Sequence, residues 1–128
     1  MVSPTLTEKR LLVVDDEPEL AEFVQLVADG IGFEVEVAEN ADAFKRAFET
    51  FRPTTIVMDI VMPDVSGIDL VKWLIDRGCG ARVIVASGMN SVYGTSIMDL
   101  AEDGGLRLSL LNKPFRLEAL RRALQAAE

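Results

Sequence analysis

Histidine is absent from the 128 residues, and cysteine occurs once, at Cys79. The first absence excludes imidazole metal ligands and histidine general bases. The second excludes an internal disulfide and fits a reducing compartment. Positive charge is also scarce: 13 Lys and Arg stand against 21 Asp and Glu, giving a net charge of −8. This disfavours nucleic acid or an anionic membrane as a partner of this domain, since both need a basic face, and it points to basic partner surfaces. No apolar run approaches the roughly 18 residues of a membrane span, and the opening MVSPTLTEKR lacks the apolar core of a secretion signal. A cytoplasmic location is the expectation. There is no internal repeat or low-complexity segment. What is present suits one domain, residues 1–128 with its core at about 9–127, and the 49% hydrophobic content is ample for a single core.

The most informative stretch is TTIVMDIVMPDVSG, from Thr54 to Gly67. Thr55 to Met58 are apolar or β-branched, and then Asp59 closes what reads as a buried strand; proline, serine and glycine mark the loop that follows. RLLVVD, residues 10–15, is a second apolar run ending in acids, Asp15 and Asp16. Pro18 then opens a helix whose apolar stripe falls at 20, 23, 24, 27, 28 and 31. FEVEVA, from Phe33, alternates as an edge or half-exposed strand should. Asn40 is the predicted N-cap of a second helix, and Pro53 ends it. Ile68, Val71, Leu74 and Ile75 line a third helix. RVIVA, from Arg82, is a strand that delivers Ser87 and Gly88. The spacing predicts a fourth helix over 91–103 and a fifth strand over Leu106 to Leu111, running into Lys113. A final helix should turn Leu117, Leu120 and Leu124 inward.

Strands alternating with helices force parallel pairing through right-handed crossovers. The expected fold is a doubly wound five-stranded parallel sheet of flavodoxin-like order 2-1-3-4-5, with helices on both faces. All the strand carboxyl ends then share one edge, where ligands bind in such sheets. Asp15, Asp16, Asp59, Ser87 and Lys113 gather there. Clustered carboxylates repel, and a hard cation such as Mg²⁺ together with the lysine would balance them. Such a site is suited to a phosphoryl group, with a carboxylate as the nucleophile and Ser87 as a hydroxyl donor.

VVDDEP, IVMDIVMPDVSG, VIVASG and NKPF, in this order, resemble the signature of the response-regulator receiver domain of two-component signal transduction. The resemblance covers essentially the whole chain. It implies that Asp59 accepts a phosphoryl group from a phosphohistidine on a sensor histidine kinase or phosphotransfer protein. It also implies that Asp16, Asp59 and the main-chain oxygen of Val61 bind Mg²⁺ directly, while Asp15 acts mostly through water. Ser87 and Lys113 would bind the phosphoryl oxygens, and a shift of the Ser87 loop would switch the surface around the fourth helix and fifth strand. Many relatives have a cis Lys-Pro bond where this chain has Lys113-Pro114. The chain would be a signalling phosphoacceptor that assists its own phosphorylation and dephosphorylation, rather than an enzyme, and a homodimer is compatible with it. Its signal would pass to a downstream protein target or to an output domain, since the sequence stops after the fifth helix.

The chain departs from the family at Leu110, where an aromatic residue commonly reports phosphorylation; Tyr93 is a candidate substitute. Val61 and Met89 bring no polar group to orient an attacking water, which predicts a long-lived phosphorylated state. Rival readings are weaker. A flavin carrier of this fold needs a phosphate cradle after the first strand, where Asp-Asp-Glu-Pro would repel phosphate. A dehalogenase-type phosphatase needs an acid two residues after its nucleophile, where this chain has Val61. The remaining alternative is a phosphorylation-independent protein-interaction module on the same fold.

Overall fold

The computed structural model describes residues 9–59, 67–88, 93–113 and 115–125, with side chains throughout except at 87, 88 and 93–95. In chain order the elements are β1 (Arg10–Val14), α1 (Pro18–Gly30), β2 (Glu34–Ala38), α2 (Ala41–Phe51), β3 (Thr55–Asp59), α3 (Gly67–Asp76), β4 (Arg82–Gly88), α4 (Tyr93–Gly104), β5 (Leu108–Lys113) and α5 (Leu117–Gln125). The strands form one parallel sheet in the order β2-β1-β3-β4-β5. This is the expected doubly wound topology.

Because successive side chains on a strand point to opposite faces, each apolar run feeds two cores. Leu11, Val13, Val57 and Ile84 pack against Val24, Ala28, Leu120 and Leu124, so α1 and α5 cover one face. Leu12, Val14, Ile56, Met58, Val83 and Val85 pack against Phe44, Leu70, Leu74, Ile97 and Ala101, so α2, α3 and α4 cover the other. Edge strand β2 leaves Glu34 and Glu36 in solvent, which blunts its open edge with charge.

Asn40 caps α2 as its sequence position predicts, accepting the Ala43 N–H at 2.8 Å. At the other end of α2, Arg10 Nε donates to the carbonyls of Phe51 (3.1 Å) and Arg52 (2.8 Å), satisfying oxygens that the last turn leaves free.

Two strand starts and one side-chain burial differ from expectation. β5 starts at Leu108 instead of Leu106, because Leu106 belongs to the close of α4. Gly105 adopts φ +74 and donates to the Glu102 carbonyl, and the Leu106 N–H then reaches back to Ala101 at 2.9 Å while its side chain is buried. Phe33 likewise closes α1, donating to Ala28 at 3.0 Å, so β2 begins at Glu34. Leu117 is 40% exposed although Leu120 and Leu124 are fully buried. It occupies the first position of α5, before the helix has reached cover on the sheet.

Candidate functional site

Three strands deliver charge to one edge. β1 stops at Val14, so Asp15 is the first residue beyond it, held by its own N–H on Ala38 at 3.3 Å. Asp59 is the last residue of β3, and Lys113 the last of β5. Between them, β4 carries Ser87 opposite Asn112 and Gly88 opposite Lys113. Backbone pairing thus brings Ser87 to this edge; its side chain lies outside the described residues.

Lys113 Nζ donates to Asp59 Oδ2 at 2.6 Å and lies 3.6 Å from Glu17 Oε1. Asp15 and Asp59 are buried, with 7% and 6% of their surface exposed. One carboxylate oxygen each from Asp15, Glu17 and Asp59 fall within 4.8 Å of one another. Burial pushes the Asp15 carboxyl above its ordinary range; the Glu17 N–H, donating to Asp15 Oδ1 at 2.9 Å, opposes this, and the nearby Asp59 charge reinforces it. Burial alone would lower Lys113, but the hydrogen bond and charge of Asp59, with Asp15 and Glu17 behind it, outweigh burial and hold its pKa above the usual lysine value.

The cluster that forms is therefore Asp15, Glu17, Asp59 and Lys113. Asp16 is exposed and faces a groove of about 460 Å³ shared with Asp15, Glu22, Gln25 and Glu39. Glu17 is the residue that sequence reasoning missed, since it entered there only as part of the Asp-Asp-Glu-Pro turn. A third acid in the turn between β1 and Pro18 was the available signal. Val61, Asp64, Met89 and Pro114 lie outside the described residues, as does the side chain of Tyr93. Leu110 is 38% exposed on β5. The donors of the cluster are all carboxylate oxygens, with no nitrogen or sulfur ligand among them, and this set fits a hard divalent cation.

A parallel sheet in this order carries an acid just after β1, a second acid as the last residue of β3 and a lysine as the last residue of β5. The response regulator receiver domain family matches residues 11–125, and the chain belongs to that family. It is 30% identical over 113 residues to the transcriptional regulatory protein TrcR of Mycobacterium tuberculosis, covering 87% of this chain and 42% of TrcR. The probable transcriptional regulatory protein TcrX of the same organism is 31% identical over 116 residues, covering 91% and 48%. The chain thus spans less than half of either relative. Among solved structures, the chemotaxis protein CheY4 of Vibrio cholerae superposes with a TM-score of 0.82 at 22% identity, covering 95% of this chain and 100% of CheY4, a likeness of fold. The receiver domain of a response regulator from Bermanella marisrubri gives 0.78 at 27% identity, covering 94% and 98%.

Proposed function

We propose that Asp59 is the phosphoacceptor of a two-component system, taking its phosphoryl group from a phosphohistidine on a sensor histidine kinase or phosphotransfer protein. The observation that carries this reading is the buried Asp59 carboxylate held by Lys113 beside two further acids. An oxygen of Asp59 gives an electron pair to phosphorus, and the bond from phosphorus to the donor breaks with its pair leaving on the donor. Lys113 then offsets the charge of the phosphoryl oxygens, and the Ser87 hydroxyl donates to one of them. Asp15, Asp16, Asp59 and the Val61 carbonyl are the proposed holders of Mg²⁺, to which Glu17 is also close. The ion, when bound, spreads the charge of the transferring group.

Beside the site, a groove of about 570 Å³ is lined by Glu17, Glu19, Leu20, Phe23, Lys113 and Phe115. Its apolar floor, where Phe23 and Phe115 meet as tilted rings 6.2 Å apart between centroids, suits a phosphodonor protein that places its phosphohistidine over Asp59. The proposed output is a switched surface around α4 and β5, read by a protein target, a second copy, or an output domain in a longer protein. Among the described residues no helix is long and apolar enough to cross a membrane, and the proposed setting is the cytoplasm.

The test is the intact mass after incubation with Mg²⁺ and acetyl phosphate, run beside Asp59→Asn and a chelated sample. One added phosphoryl, lost in both controls, is expected. No gain in folded protein would overturn the reading in favour of a phosphorylation-independent interaction module.

A further inference from the structure

We infer that Glu17 is a positioning residue for phosphoryl transfer: its carboxylate draws the Lys113 ammonium outward from Asp59. The inference rests on the reading of Asp59 as the phosphoacceptor. Lys113 Nζ stands between two carboxylates, 2.6 Å from Asp59 and 3.6 Å from Glu17. The two differ in depth, since the side chain of Asp59 is 8% exposed and that of Glu17 is 64% exposed. Lys113 therefore has an inner anchor and an outer one.

The backbone from which Glu17 reaches is itself fixed. Its N–H is tied to Asp15 Oδ1, and Pro18 behind it favours the extended conformation observed, φ −99° and ψ 105°. Glu17 and Lys113 also share the apolar groove with Leu20, Phe23 and Phe115. The outer anchor thus stands on the side where that groove meets the site.

This arrangement matters because Lys113 has two tasks. An ammonium held against Asp59 stabilises the charge that must attack phosphorus, which slows attack. The same ammonium is needed on the phosphoryl oxygens as the new P–O bond forms and the old one breaks, its electron pair departing with the donor's leaving group. An outer carboxylate eases the move from the first position to the second. Being exposed, it supplies a modest effect, about two- to fivefold in rate. Its negative charge also opposes the approach of an anionic donor, so removing it should slow the step while improving donor affinity.

The test follows phosphorylation by intact mass over a range of acetyl phosphate concentrations in Mg²⁺, for wild type, Glu17→Gln and Glu17→Asp, with thermal melting of each. Glu17→Gln is expected to lower the maximal rate about two- to fivefold and to lower the half-saturating donor concentration. Glu17→Asp keeps the charge and should recover most of the lost rate. A maximal rate in Glu17→Gln equal to or above wild type, with unchanged melting, overturns the inference alone. So does Glu17→Asp behaving as Glu17→Gln. Wild type that takes up no phosphoryl group, or takes it up equally in Asp59→Asn, overturns the phosphoacceptor reading and this inference together.

Discussion

Lys113→Met removes the ammonium and keeps the apolar stem. At 2.6 Å, the gross attraction to Asp59 is roughly 6 kcal/mol at an effective dielectric of 20, most of it offset by the desolvation of both groups. Removing one partner exposes that desolvation cost, because Asp59 stays buried beside Asp15. Losses of about 3–5 kcal/mol are typical of fully buried pairs, and Lys113, with 23% of its side chain exposed, belongs at or below the lower end, about 2–3 kcal/mol. With a urea slope of about 1–3 kcal/mol per molar, the midpoint should fall by about 0.7–3 M in chelator at pH 7. Mg²⁺ should recover part of the loss, since a divalent cation compensates the same carboxylates. The pH dependence has a definite sign. Lys113 has a folded pKa raised above the ordinary lysine value, so its contribution is present below that ordinary value and lost as pH rises through the folded one. The variant should therefore trail wild type evenly from pH 7 to 9. A loss under about 0.5 kcal/mol at pH 7 in chelator, the scale of an ordinary surface change, would refute the reasoning.

Asp15→Asn should have the opposite sign. The folded pKa of Asp15 is raised above 3.8, so the stability it contributes is present below that pH and lost as the group ionises. In chelator at pH 7 the variant should therefore be more stable than wild type by on the order of 1 kcal/mol, a figure discounted for solvent screening, and this advantage should vanish near pH 3. The Mg²⁺-dependent rise in melting temperature should shrink in the same variant. Gly104→Ala would place a Cβ 2.6 Å from the Ile75 side chain, pressing α4 away from α3. The expected loss is about 1 kcal/mol despite the better helix propensity of alanine, and it should disappear when Ile75→Ala makes room; equal effects of Gly104→Ala in both backgrounds, in urea melts, would contradict this.

How far the sequence could be read depended on what each pattern encodes. β3 was legible to the residue, because an uninterrupted apolar run closed by a single acid admits one reading. The alternation of β2 likewise revealed an edge strand with a solvated face. Leu106 misled the reading of β5, since hydrophobicity records burial without saying whether the residue closes a helix or opens a strand. That Lys113 and Asp59, 54 positions apart, share one edge followed from placing both at strand ends in one parallel sheet, whereas their direct bond did not. Side-chain direction just beyond a strand was the illegible part. Past Val14 the two-residue alternation no longer applies, so nothing in Asp15-Asp16-Glu17 told that the first and third would meet Asp59 while the second faced solvent. That depends on the N–H of Glu17 bonding back to Asp15.

The most direct measurement is the position of the phosphoryl group itself. After reaction with acetyl phosphate and Mg²⁺, borohydride reduction converts an acyl phosphate to the alcohol at the same residue, and peptide mass spectrometry then locates it. The account predicts a single reduced residue, Asp59, absent when Mg²⁺ is chelated. Reduction at Asp15, Asp16 or Glu17 instead, or at no residue of the folded chain, would contradict it.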